Sequence, residues 1–217
     1  MIIDCIADLH GYYPKLEGGD LLIVAGDLTA SNLEKQYMDY LYWTCNLPYK
    51  KVIFISGNHD MLLQREDWHD FYSKIANGDK MAYLCDSGIE FEGLKIWGSP
   101  WTKIFERMNP KCKAFTCDTE EELYKKFSLI PEDTDILITH GPPFTILDKT
   151  KDGRQVGSVS LMAHHIGKVR PKLFVWGHIH EAYGIESGYS WNKTKYVNCS
   201  HVNELYQPVN RPIRIVL

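Results

Sequence analysis

Five short apolar runs in this 217-residue chain each stop abruptly at residues able to hold a metal ion or move a proton. Residues 2–7 run into Asp8-Leu-His10, residues 21–25 into Gly26-Asp27, and residues 52–55 into Ser-Gly-Asn58-His59-Asp60. Residues 136–138 run into Thr139-His140-Gly-Pro-Pro143, and residues 173–176 into Gly177-His178-Ile-His180. Short apolar runs rich in β-branched residues and closed by turn residues predict buried strands. If the five strands lie parallel and adjacent in one sheet, their polar tips meet along one edge, where open α/β sheets bind ligands. Such a meeting constrains the fold more than any other feature of the chain.

The intervening segments predict the covering layers. Ser31, followed three residues later by Glu34, is the expected start of a helix to about Cys45, and a second helix is expected over about Asp67 to Ile75. Residues 81–84, 89–91 and 94–97, separated by Asp86-Ser87-Gly88 and Glu92-Gly93, predict hairpin strands of a second sheet. Residues 104–118 predict an irregular loop and a first candidate for a substrate wall. Thr119 with Glu122 predicts a helix cap, a further helix is expected from about Ser158 to Val169, and residues 196–201 and 213–217 are read as more strands of the second sheet. With no linker or repeat, residues 1–217 are expected to form one domain.

Composition narrows the setting. No apolar run reaches the ~18 residues of a membrane span, and the first residues lack the basic region and cleavage site of a secretory signal. Six cysteines without a C-x-x-C pair suit reduced thiols, so a cytoplasmic protein is expected. A net charge of −4 and a pI of 6.1 argue against a broad duplex-binding face, while leaving room for a small anionic substrate.

Side chains two apart on an extended backbone project to the same side, so Asp8 with His10, and His178 with His180, are each expected to present both members to one side. Oxygen and imidazole donors without thiolate favour Mn, Fe or Zn, with Ni admissible. Asp27 is the carboxylate best placed in this pattern to bridge two cations. Such a pair would clamp a phosphate and lower the pKa of a bound water toward ~7.

Taken together, Asp8-x-His10, Gly26-Asp27, Gly57-Asn58-His59-Asp60, His140 in Thr-His-Gly-Pro-Pro, and Gly177-His178-x-His180 resemble the full signature of the calcineurin-like metallophosphoesterases. The resemblance implies an α/β fold, a two-sheet β-sandwich flanked by helices in four αββα layers, with a dinuclear centre at the sheet edge. It implies that Asp8, His10, Asp27 and His180 hold one divalent or trivalent ion, and Asp27, Asn58, His140 and His178 the other. By the same resemblance His59 is free to protonate the leaving oxygen, with Asp60 orienting its ring. Within the superfamily, residues 95–101, 170–172 and 206–208 look most like the metallophosphoesterase-domain-containing branch, which implies hydrolysis of small phosphodiesters such as cyclic nucleotides. The Asp-Arg-Gly of protein Ser/Thr phosphatases is absent, because Gly26-Asp27 continues as Leu-Thr-Ala-Ser. A phosphomonoesterase or nuclease on the same scaffold, and a catalytically silent metal-binding scaffold, are the rival readings.

Overall fold

The structure, a computed structural model, describes residues 1–104, 109–188 and 193–217. In chain order its strands are β1 (Ile2–Ile6), β2 (Gly19–Ala25), β3 (Tyr49–Ile55), β4 (Met81–Tyr83), β5 (Ser87–Phe91), β6 (Leu94–Ser99), β7 (Thr102–Lys103) and β8 (Thr116–Cys117). They continue with β9 (Ile136–Thr139), β10 (Leu173–Trp176), β11 (Gly184–Ser187), β12 (Lys195–Asn198) and β13 (Ile213–Val216). The α-helices are α1 (Glu34–Cys45), α2 (Glu66–Ala76), α3 (Glu120–Phe127) and α4 (Val159–His164). Among the described residues one sheet has the order β13-β1-β2-β3-β4 and a second the order β11-β12-β10-β9-β6-β5.

Period-two alternation decides which side chains face which layer. Along β2, Leu21, Ile23 and Ala25 join Ile3, Cys5, Ile53 and Ile55 against Ile136, Ile138, Leu173 and Val175 of the second sheet, forming the core between the sheets. Leu22 and Val24 point the other way, where Tyr37, Tyr40 and Leu41 of α1 and Tyr72 of α2 cover them. On the far side Leu123 and Phe127 of α3 and Leu161 of α4 cover Leu137, Phe174 and Trp176. Both faces of each sheet are thus buried, which accounts for the near-continuous apolar runs. The expected four layers are present.

The five strands that carry the polar tips do not share a sheet. β1, β2 and β3 lie in the first, while β9 and β10 lie in the second. Each run reads as buried on both faces whichever sheet it joins, so the apolar pattern alone does not say where one sheet ends. Residues 81–84 likewise supply β4, which pairs in parallel with β3 in the first sheet instead of forming a hairpin. The expected hairpin is β5–β6, antiparallel across Glu92-Gly93 in the second sheet.

The chain's last strand also corrects the expectation. β12 joins the second sheet beside β10, but β13 crosses to the first and pairs antiparallel with β1. Arg214 on β13 donates from Nε and Nη2 to the two oxygens of buried Asp4 on β1, both at 2.8 Å. A bidentate pair at this register fixes the edge strand.

Helix α1 begins three residues after Ser31. The amides leading into it are served by Gln36, whose Oε1 accepts from Ser31 N at 2.9 Å and from Leu33 N, the N-cap, at 3.4 Å. The Thr119 cap is as expected, its hydroxyl accepting from Glu122 N at 3.2 Å. Residues 105–108 of the candidate substrate wall lie outside the described residues; its described remainder holds a short helical turn at Pro110–Cys112 and β8, which pairs in parallel with β7 just before the stretch. The six cysteines are free thiols, and among the described residues no helix is long and apolar enough to cross a membrane.

Candidate metal centre

The two sheets meet at the carboxyl ends of β1, β2, β3, β9 and β10. Their connecting backbones are cross-tied there. Asp8 N donates to Gly26 O at 3.0 Å and His10 N to Asp27 O at 3.0 Å within the first sheet's edge. Gly177 N donates to His140 O at 3.1 Å in the second. Across the sheets, Ala7 N donates to Cys199 O at 2.9 Å, and His178 N reaches the Asp8 carboxylate at 2.9 and 3.1 Å.

Four of the predicted ligands, Asp8, His10, Asp27 and His178, have positive φ, between 43° and 67°. A non-glycine residue in the left-handed region costs about 1–3 kcal/mol and persists only where its surroundings over-determine it. The ties above provide that constraint. Glycine fills the adjoining gaps. A Cβ on Gly57 would lie 2.2 Å from Asp27 Oδ1, and one on Gly177 would lie 2.3 Å from Asp8 Oδ2.

Potential donor atoms cluster in three overlapping sets, each within 4.8 Å: Asp8 with His10 and His180; His10 with Asp27 and His59; Asp8 with Asp27 and His140. Asp27 stands between two of the histidine groups. Its Oδ2 is 3.7 Å from His10 Nε2 and 3.9 Å from His59 Nε2, whereas its Oδ1 is 3.5 Å from His140 Nε2. Asp8 Oδ1 lies 3.7 Å from His180 Nε2. The His178 ring packs edge-on against His140, centroids 4.9 Å apart. Every predicted ligand therefore reaches this one edge.

Hydrogen bonds fix which atoms face inward. His140 Nδ1 is 2.9 Å from Ala25 O and His180 Nδ1 is 3.1 Å from Asn203 O. A carbonyl can only accept, so each Nδ1 carries the proton and each Nε2 is left to face the cluster. Asn58 Nδ2 donates to Cys112 O at 2.9 Å, which turns Asn58 Oδ1 toward His140 Nε2, 2.9 Å away. His140 Nε2 thus confronts two oxygen acceptors, Asn58 Oδ1 and Asp27 Oδ1. Such a group needs either a second proton or a shared cation.

Ionisation follows from this crowding. Burial works against charge on His140, but the Asp27 carboxylate beside it raises its pKa to about 9. Burial alone would raise the Asp8 carboxyl, yet its hydrogen bond with His180 and the charges of His180 and His140 hold it down at about 2. His10, whose Nε2 is buried without a hydrogen-bond partner, is pushed down to about 4 by burial. An unpartnered buried imidazole nitrogen beside two carboxylates that stay ionised is a lone pair waiting for a cation. The donor set fits the pair of ions expected: carboxylate, amide and imidazole groups, with the buried thiols elsewhere in the core.

One expected role is not seen. Both oxygens of Asp60 are engaged with backbone, accepting from Gly57 N at 2.8 Å and from Leu28 N at 3.1 and 3.2 Å. Asp60 clamps the β2 and β3 tips together and takes no described bond from the His59 ring. Sequence spacing places it beside His59, but the turn after β3 points it back under the loop. Conversely, sequence reasoning misses Tyr206 as a site residue, yet its ring sits 4.8 Å from that of His10 and 5.2 Å from that of His180. The branch resemblance includes residues 206–208 but gives Tyr206 no place at the site, because it comes from the β12–β13 connection and not from a strand tip.

A cleft of about 760 Å³ opens beside the cluster, walled by His59, Asn58, Asn109, Lys111, Cys112 and Tyr206 among others. Asn109, Lys111 and Cys112 of the 104–118 stretch line this cleft. The same stretch also steadies Asn58, because the Cys112 carbonyl holds the Asn58 amide and Ala114 N donates to Asn58 O at 3.0 Å.

The calcineurin-like phosphoesterase family model matches residues 1–182, which include every tip described above. The chain is 37% identical over 235 residues to Metallophosphoesterase domain-containing protein 1 of Homo sapiens, covering 98% of this chain and 70% of that one. It is 31% identical to the UPF0046 protein T07D4.2 of Caenorhabditis elegans, covering 96% of this chain and 58% of that one. The solved structure of TT1561 of Thermus thermophilus shares the fold at a TM-score of 0.59 with 15% identity, covering 91% of this chain and 88% of that one. Family model, relatives and buried carboxylate–imidazole cluster agree: the chain belongs to the calcineurin-like phosphoesterase family, whose chemistry is the metal-dependent hydrolysis of phosphoric esters.

Proposed function

We propose that the protein is a dinuclear metal-dependent phosphodiesterase that hydrolyses small phosphodiesters, such as cyclic nucleotides, in the cytoplasm. The observation that carries this reading is the placement of Asp27, with one oxygen toward His10 and the other toward His140. Asp8, His10, Asp27 and His180 would hold one ion, and Asp27, Asn58, His140 and His178 the other, with Mn or Fe the preferred occupants. When bound, two such ions supply charge neutralisation at phosphate and a water acidified to near neutral pKa.

The chain's own residues account for the rest. The Nδ1 bonds of His140 and His180 to backbone carbonyls fix the orientation of both rings. His59 is the proton donor to the leaving oxygen. Its side chain is 17% exposed, against 4% for His10 and 0% for His140, so it alone of the three opens onto the cleft wall. Its backbone N–H, bonded to Asp27 Oδ1 at 2.9 Å, registers it against the bridging carboxylate. A donor so placed contributes about 10²–10⁴-fold. A negative protein with a cleft of this size suits a small diester better than duplex nucleic acid.

The test is turnover by Mn²⁺-loaded protein of bis-p-nitrophenyl phosphate, p-nitrophenyl phosphate, cyclic mononucleotides and short oligonucleotides. Preference for diesters over the monoester is expected. Preference for the monoester overturns the diesterase reading, and no turnover of any substrate favours a silent scaffold.

A further inference from the structure

Tyr206 is held more firmly than its exposed loop requires. It has a φ of +57°, a cost of about 1–2 kcal/mol for a residue with a side chain. The Asn203 carbonyl accepts from Tyr206 N at 2.8 Å and also from His180 Nδ1, so one oxygen positions both the tyrosine and a candidate metal ligand. Asn203 Oδ1 accepts from Leu205 N at 3.0 Å and Gln207 N at 2.9 Å, closing the turn on both sides of Tyr206.

This clamped turn gains little core packing in return. Tyr206 is 47% exposed, and its neighbours Leu205 and Val209 are 68% and 58% exposed. The hydroxyl makes no hydrogen bond among the described residues. The ring leans on His10, His180 and, at 6.1 Å, His59, and its remaining surface borders the cleft. Ser31, Asn32, Asn109 and Lys111 line the same cleft. Strain maintained at an exposed residue beside a reactive centre points to a function outside folding.

We propose that Tyr206 is a specificity-determining residue that stacks its ring against a planar group of the phosphate ester, an aryl ring or nucleobase. A flat, preordered aromatic surface discriminates planar from non-planar groups and tolerates differences among bases. The proposal rests on the phosphoesterase site described above. It adds the residue that would contact the planar group the ester carries.

The experiment compares wild type with Y206A, Y206L and Y206F, each checked for metal content and melting temperature. Two probe pairs are used. Bis-p-nitrophenyl phosphate and methyl p-nitrophenyl phosphate share a leaving group and differ in the group retained. Adenosine 5′-monophosphate and inorganic phosphate, measured by calorimetry on the Mn²⁺-loaded protein, differ by the nucleoside. For Y206A and Y206L, kcat/KM is expected to fall about tenfold more for the bis-aryl than for the methyl ester, and nucleotide Kd to weaken about tenfold with phosphate unchanged. Y206F should match wild type on all four probes. Equal losses on both members of each pair would make Tyr206 only a prop for His10 and His180 and overturn the proposal, as would no loss. If wild type cleaves neither diester, the diesterase reading fails, and the nucleotide–phosphate comparison still decides the role of Tyr206.

Discussion

Replacing Gly57 by alanine puts one methyl group where the two sheets share the site. The new Cβ would stand 2.2 Å from Asp27 Oδ1, 2.5 Å from Asp27 N and 2.7 Å from His140 Cε1, where ordinary contact begins at 3.4 Å. The backbone nitrogen belongs to a strand end locked in the core, and the His140 ring is fully buried, so the Asp27 carboxylate is the group that must yield. A shift exceeding about an ångström takes it out of register with His10 and His140. Overpacking of this kind costs about 1–3 kcal/mol, or roughly 2–12 °C in melting temperature for a domain of this size. Gly98→Ala is the matched control. Its Cβ would meet Leu84 Cβ at 2.5 Å and Ile55 Cγ2 at 2.7 Å in the core between the sheets, away from the ligands. Melting curves with Mn²⁺ and with chelator, together with metal content by plasma mass spectrometry, separate the two effects. Both variants should melt lower, but only Gly57→Ala should lose bound metal and with it the stabilisation that metal confers on the folded state. Full metal content in Gly57→Ala would refute the placement of Asp27 at the junction.

Asp27→Ala should abolish metal binding and activity together, whereas His59→Ala should keep its metals and lose ~10²-fold or more in turnover; equal metal loss in both variants would contradict the division between ligand and acid. Asp60→Ala leaves the buried amides of Gly57 and Leu28 without an acceptor, so a loss of about 1–3 kcal/mol in denaturant unfolding is expected, and an altered pH–rate profile at unchanged stability would restore Asp60 to the role of orienting His59. His140 has a folded pKa raised from 6.5 to about 9, so in the metal-free protein its stabilising contribution is complete below 6.5 and is lost as pH rises toward 9. Because a ligand must shed that proton, Mn²⁺ affinity should rise by about tenfold per pH unit across the same window, and calorimetric titrations giving a flat affinity would contradict the assignment.

Much of this site is legible in the chain because strand tips are chemically abrupt. Asp8-x-His10 and His178-x-His180 carry their own register, and the apolar runs before them say where each strand ends. What the runs do not carry is sheet membership. A strand buried on both faces reads the same in either layer, so the division of β1, β2 and β3 from β9 and β10 appears only in the pairing. Backbone conformation is equally hidden, since Asp8, His10, Asp27 and His178 reach the left-handed region through tertiary ties that no local propensity encodes. Asp60 illustrates a related limit: adjacency to His59 suggests contact, but the direction of a turn decides which way the carboxylate points. Tyr206 comes from a long connection whose course depends on Asn203, and β13 returns to the first sheet because Arg214 finds Asp4.

Anomalous diffraction from crystals grown with Mn²⁺ tests the convergence of these tips most directly. Two peaks are predicted, one on each side of the Asp27 carboxylate: the first in contact with Asp8, His10 and His180, the second with Asn58, His140 and His178. A single peak that does not touch Asp27, or a pair of peaks at separate places on the surface, would contradict a shared dinuclear centre.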